Sequence, residues 1–173
     1  MTTPEFSRPV RAEQIRRMTG DVHIAADADE RAALVRRFGL VTLDRLEADY
    51  VLTEEDGAIL ARGRLRAALA QPCVATAEPV PETVDTDFTL RFVVEGEALG
   101  EDEELELDAE DVDTIGYDGQ QIDMGEAVAE TMALAMTPYP RSPQADTALK
   151  EAGVLSEEQA GPFAALLALK GEG

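Results

Sequence analysis

The sequence predicts an α+β fold: an antiparallel, hairpin-based β-sheet, with a barrel-like form as one option, packed with two main helices, plus an acidic loop and a short C-terminal helix. Three observations carry this reading. A long run of alternating apolar and polar residues folds back on itself around Glu54-Glu55-Asp56-Gly57. Two segments with helical spacing each begin at an aspartate placed to cap them. Leu, Ile, Val and Phe make up about a quarter of the chain, above the ~20% below which a strongly charged chain usually fails to bury a core. The chain's 173 residues fit one domain and a tail. Residues 1–141 read as a single α+β domain, and 142–173 as a linker with a short amphipathic segment.

The elements follow in chain order. Residues 5–26 alternate loosely and read as short strands ending in Val22, Ile24 and Ala26. Asp27 and Glu30 have capping-box spacing. Leu34, Val35 and Phe38 share a helical face and Gly39 is a suitable stop, so a helix is expected over 28–38. LEADYVLTEEDGAILARGRLRAAL then reads as a hairpin. If residues 53 and 58 pair, Leu46 faces Leu65, Tyr50 faces Ala61 and Leu52 faces Ile59. On the other face Asp49 meets Arg62 and Glu47 meets Arg64, with Arg45 against Arg66 as the unfavourable remainder.

After a Gln-Pro-Cys turn, Val84, Phe88, Leu90, Phe92 and Val94 mark one side of a half-buried strand, with Asp85, Asp87 and Arg91 on the other. Residues 95–113 hold eleven carboxylates and no basic residue, which reads as a solvated loop or edge. Asp118-Gly119 makes a turn. Asp123 and Glu126 repeat the capping spacing, Val128, Met132, Leu134 and Ala135 form an apolar face, and Pro138 closes that helix at 137. Residues 141–161 are polar with Gly and Pro breaks. PFAALLALK, starting at Pro162, is a last amphipathic segment.

Charge narrows the function. The 36 acidic and 15 basic side chains give a formal net charge of -21. Nucleic-acid binding draws much of its affinity from Lys and Arg displacing counterions at phosphates, so this chain is repelled by free RNA unless basic residues segregate locally. The same charge attracts basic proteins and speeds their capture. No apolar run approaches the ~18 residues of a membrane span, and the N-terminus lacks the basic-then-apolar layout of a signal peptide. A cytoplasmic location with no membrane partner is expected.

Catalytic and metal chemistry find few candidates. A structural zinc site needs about four Cys or His ligands, and the chain offers Cys73 and His23 alone. A lone Cys is more often a small core hydrophobe than a nucleophile, and one His supports no Ser-His-Asp set. Asp111, Asp113 and Gly116 start like a calcium loop, but Ile115 and Ile122 occupy ligand positions. No cofactor, no metal and no enzymatic activity are expected. Arg62, Arg64 and Arg66 share one strand face and form a candidate RNA-binding stripe, although the hairpin register gives two of them acidic neighbours.

At QPCVATAEPV the chain resembles the YceD family, the large ribosomal RNA subunit accumulation proteins. The family carries Cys-x-Arg-Cys-Leu-Glu-Pro after a long hairpin strand. Here Cys73, Glu78 and Pro79 match, while Ala75, Thr76 and Ala77 replace the Arg, the second Cys and the Leu. Tyr117-Asp118-Gly119-Gln120-Gln121-Ile122-Asp123, running into Gly125-Glu126 and ending at Pro138-Tyr139-Pro140-Arg141, is similar to a second block. Pro162-Phe163-Ala164 with Leu166, Leu169 and Lys170 is similar to the closing one. With Glu30-Arg31 before the first helix, the resemblance covers nearly the whole chain and is closest to a single-cysteine, alphaproteobacterial-like form.

The resemblance implies a role in 23S rRNA accumulation and large-subunit assembly. It marks Cys73, Glu78, Pro79, Asp118, Gly119, Asp123, Glu126, Pro140, Arg141, Phe163 and Leu166 as candidate partner-binding residues. The expected partner is a basic ribosomal protein or an assembly factor; direct contact of Arg62, Arg64 and Arg66 with 23S rRNA or its precursor is the alternative. Thr76 implies that any paired-thiol site in the family is dispensed with here.

Overall fold

The computed structural model describes residues 4–96 and 112–154. The described elements begin with β1 (Pro9–Arg11), α1 (Ala12–Ile15) and β2 (Val22–Ala25), followed by α2 (Ala28–Phe38). Three long strands come next: β3 (Thr42–Glu55), β4 (Ala58–Pro72) and β5 (Pro79–Val94). The chain continues with β6 (Asp113–Tyr117), β7 (Gln121–Asp123), α3 (Met124–Ala135) and α4 (Ala145–Glu151). The N-terminal stretch expected to hold only strands contains α1, and α4 falls inside the stretch expected to be a linker.

The main sheet has the order β2-β3-β4-β5-β6. Its pairs are antiparallel except β5 with β6, which run parallel. The sheet does not close: β2 and β6 are its two edges among the described residues, so the barrel-like form is corrected to an open sheet. A separate two-stranded sheet joins β1 to β7.

The β3–β4 hairpin is present, with a register two residues away from the expected one. Glu55 pairs with Ala58, so the loop is Asp56-Gly57 rather than four residues long. Both loop residues take positive φ, 50° and 76°, the backbone of a tight turn whose twist matches the flanking strands. Asp49 therefore faces Arg64, Glu47 faces Arg66, and Arg45 faces Ala68 across an irregularity between Leu43 and Arg45. The expected Arg45–Arg66 opposition is absent. Because a shift of two keeps every side chain on its own face, the inward set is as read: Leu46, Tyr50, Leu52, Ala61 and Leu65 are buried. Gly63 lies opposite Tyr50, where an added Cβ would stand 2.2 Å from the Asp49 carbonyl oxygen and 2.6 Å from the Tyr50 Cβ. Burial of Tyr50, with a smaller effect from Asp123 and against that of Arg8, pushes its phenol up to about 12.

Helices α2 and α3 supply the buried Leu34, Met124, Val128 and Met132, which share one core with the sheet's inward face and with Phe6. In α2 the Asp27 carboxylate accepts from the Glu30 N–H at 2.9 Å, the Glu30 carboxylate accepts from the Asp27 N–H at 2.8 Å, and Gly39 ends the helix at φ 65°. In α3, Leu134 is 79% exposed, which corrects its place on the expected apolar face.

Candidate functional site

Cys73 lies in the turn that joins β4 to β5. Pro72 pairs with Pro79 at the two ends of that turn; proline has no N–H to carry a ladder further. Inside it the Cys73 N–H donates to the Glu78 carbonyl at 2.8 Å and the Ala77 N–H to the Cys73 carbonyl at 2.9 Å. Ala77 takes φ 61° to close the turn. The Thr76 hydroxyl donates to the Glu78 carboxylate at 3.0 Å.

A distant segment clasps this turn. The Val74 N–H donates to the Pro140 carbonyl at 2.9 Å. The Ser142 N–H donates to the Cys73 Sγ at 3.2 Å, and the Ser142 and Thr76 hydroxyls lie 3.2 Å apart. One step back, the Glu82 carboxylate accepts from both the N–H and the hydroxyl of Thr137 at 2.8 Å, while the Gln71 amide donates to the Thr137 carbonyl at 3.0 Å. Together these bonds fasten residues 137–142 along the end of the β4–β5 hairpin. Ser142 follows directly after the Pro-Tyr-Pro-Arg block, which was the only sequence signal for it; nothing in sequence marked Gln71, Glu82 or Thr137.

Cys73 is 3% exposed. Burial pushes its pKa up, but hydrogen bonds from the Ser142 N–H, the Thr76 and Ser142 hydroxyls and the Ala75 N–H outweigh it and bring the group down to about 6. The Thr76 hydroxyl also lies in contact with that of Ser142. Among the described residues no group of three or more His, Cys, Asp and Glu side chains is placed to hold a metal ion. What the clasp presents outward is Val74, 55% exposed, and Tyr139, 80% exposed and held at φ 56°. Arg141 beside them contacts Asp146 at 3.4 Å. Exposed aromatic and arginine side chains are the residue types that dominate protein–protein contacts.

The fold thus brings together Cys73, Glu78, Pro79, Pro140 and Arg141. It does not bring Asp118, Gly119, Asp123 and Glu126 to them. Asp118 accepts from the Gln120 and Gln121 N–H groups, and Gly119 at φ 81° makes the turn into β7. Asp123 caps α3 through the Gly125 and Glu126 N–H groups and also accepts from the Arg8 N–H at 2.7 Å. At Gly125 an added Cβ would stand 2.5 Å from the Phe6 carbonyl oxygen. Glu126 accepts both terminal nitrogens of Arg37, at 2.7 and 2.8 Å. Asp123 and Gly125 thus hold the N-terminal segment against α3, and Glu126 ties α3 to α2.

Arg62, Arg64 and Arg66 stand on the sheet face opposite the core, each beside carboxylates. Arg62 lies 2.9 Å from Glu55, Arg64 2.7 Å from Asp85, and Arg66 2.9 Å from Asp49. His23 joins the same face through Asp49 at 2.7 Å. Phe163, Leu166 and most of the acidic stretch lie outside the described residues.

A family model described as large ribosomal RNA subunit accumulation protein YceD matches residues 61–170. The chain belongs to the YceD family. The match begins within β4, spans the Cys73 turn and its clasp, and includes α3 and α4. The family's name ties its members to accumulation of the large ribosomal RNA subunit. No curated protein and no solved structure matches the chain. For this YceD chain, the signature residues divide into the clasped surface around Cys73 and the anchor around Asp123. None of the described helices is long and apolar enough to cross a membrane.

Proposed function

We propose that this protein is a non-enzymatic, cytoplasmic factor that supports 23S rRNA accumulation and large-subunit assembly by binding a basic ribosomal protein or another assembly factor. The observation that carries this reading is the state of the arginine stripe. Arg62, Arg64 and Arg66 already face Glu55, Asp85, Asp87, Asp49 and Glu47 within 4 Å. An arginine matched by carboxylates offers phosphates little net attraction, and the whole chain carries -21. A polyanion of this kind captures cations faster and more selectively than anions. The clasped surface around Val74, Tyr139 and Arg141 supplies the contact residues that charge alone does not.

The test is retention of purified basic large-subunit proteins on the immobilised full chain across a salt series. Retention at low salt that fades as salt rises is expected; absence of retention at any salt contradicts the reading.

Direct rRNA binding is the second reading, favoured by the spacing of Arg62, Arg64 and Arg66 at every second position of β4, on one face. It requires affinity for 23S fragments that falls steeply with salt and that Arg64→Glu reduces without unfolding the domain. An unchanged affinity in that variant removes it.

A further inference from the structure

The exposed large hydrophobic side chains among the described residues gather at one end of the sheet. They are Val41, Val74, Leu134, Tyr139 and Val154. Val41 precedes β3, and its N–H donates to the Ala70 carbonyl at 2.8 Å, next to Gln71 and the β4–β5 turn. Val74 lies in that turn and is bonded to Pro140. Leu134 stands in the last turn of α3, three residues before Thr137, which Gln71 and Glu82 hold. Tyr139 sits between Pro138 and Pro140 at φ 56°, a backbone that a bulky residue rarely adopts, and its ring is left in solvent. Apolar side chains gathered in this way mark a contact surface.

The chain that continues from this end supplies a matching segment. Helix α4 starts three residues after Ser142 and is about 10 Å long. The described residues end at Val154, three residues past it, and nineteen more follow. Among these, 162–170 hold Phe163, Leu166, Leu167 and Leu169 and no carboxylate, and helical spacing puts the first three on one face. The family match runs to residue 170, so this segment is part of the matched region. Residues 155–161 span at most about 24 Å, which keeps the segment within reach and at high local concentration. Residues 97–111 make a poor alternative cover. They leave β5 beyond Val94, the end opposite Pro79, and carry nine carboxylates.

We propose that residues 162–170 dock as an amphipathic helix on the face that Val74 and Tyr139 of the same chain present, and that a protein partner reaches this face by displacing them. The displacement rests on the protein-binding reading above; the docking does not. A helix this short is unstable alone in water, so its apolar side needs a surface as much as the surface needs cover. Lys170 is the segment's one charge, opposite in sign to the -21 of the whole chain. A segment docked about nine-tenths of the time lowers a competing partner's apparent affinity about tenfold. The C-terminus then acts as a brake on capture of the partner.

The experiment compares backbone amide signals of the isotopically labelled full chain with those of two full-length variants. Leu166→Glu puts a charge on the apolar side of the segment, and Ala168→Glu puts the same charge on the other side. The signals of Val74 and Tyr139 are expected to move in Leu166→Glu, to hold in Ala168→Glu, and to be independent of protein concentration in all three proteins. Unmoved signals in Leu166→Glu, or equal movement in both variants, overturn the docking. Signals that follow protein concentration also overturn it, in favour of the segment of a second copy. A purified basic large-subunit protein is then titrated into wild type and Leu166→Glu, and about tenfold tighter binding to the variant is expected. Equal affinity for both overturns the displacement. Signals that move as expected while neither protein binds the basic one keep the docking and sink the ribosomal reading. Binding by wild type with unmoved signals does the reverse.

Discussion

The backbone N–H of Ser142 donates to the thiol sulfur of Cys73 at 3.2 Å, across 69 positions of sequence. With Val74 bonded to Pro140, this contact makes one surface out of the β4–β5 turn and the segment that follows α3. A buried cysteine whose sulfur accepts hydrogen bonds is a fastening, and its chemistry is protected by the same burial. In native conditions an alkylating reagent is expected to modify Cys73 slowly, with a sharp acceleration on adding denaturant. Ser142→Pro, which removes the N–H, is expected to raise the native rate. Fast alkylation of the folded wild type would show that the clasp is open in solution.

Tyr50 leaves no room for a side chain at Gly63. Gly63→Ala is expected to destabilise the domain by several kcal/mol, since neither the Asp49 carbonyl nor the Tyr50 Cβ can move away cheaply. Gly57→Ala, in open space at φ 76°, is expected to cost only about 1 kcal/mol. Denaturant midpoints of the two variants check the order.

Asp123 serves α3 and the N-terminal segment together. Asp123→Ala removes a helix cap, worth about 1 kcal/mol by itself, and also leaves the Arg8 N–H without its acceptor. A loss of about 2 kcal/mol is expected, with amide exchange quickening in β1 as well as α3. Exchange confined to α3 would separate the two roles.

The Arg8 guanidinium, forked onto Glu30 at 2.6 and 3.0 Å, holds that carboxyl below its usual 4.5, with burial opposing. A carboxyl with a depressed folded pKa contributes stability that is present above the unfolded value and lost as pH falls through the folded one. Wild type is therefore expected to exceed Glu30→Gln in stability at neutral pH, and the difference is expected to shrink as pH falls below about 4.5. Urea midpoints of both proteins along a pH series measure it. A difference that grows towards acid contradicts the assignment.

Much of this fold is legible in sequence, and the misses have physical causes. The α2 boundaries follow from Asp27, Glu30 and Gly39 because caps are local chemistry. The faces of β3, β4 and β5 follow from alternation. Their register does not, because a shift of two residues preserves every face; only the Arg45–Arg66 conflict signalled that the loop was shorter. The parallel pairing of β6 depends on chain geometry that spacing cannot reveal. Helix α4 lies in a polar stretch with weak periodicity, and Ala145, its one buried residue, gives no pattern to read.

The candidate site was legible only through resemblance. Cys73, Glu78 and Pro140 carry no local signal of meeting, and the side chains that bind them, Thr76 and Ser142, are ordinary polar residues in loops. Spacing marks Asp123 and Glu126 as a cap and the resemblance marks them for partner binding, whereas their observed bonds lie within the fold.

The most direct test of the electrostatic account is a paired equilibrium measurement on the purified full chain, with a basic large-subunit protein in one titration and a 23S rRNA fragment in the other, over the same salt series. The account predicts salt-sensitive binding of the protein and no measurable binding of the RNA. Tight RNA binding that persists at high salt, with no affinity for the protein, would contradict it.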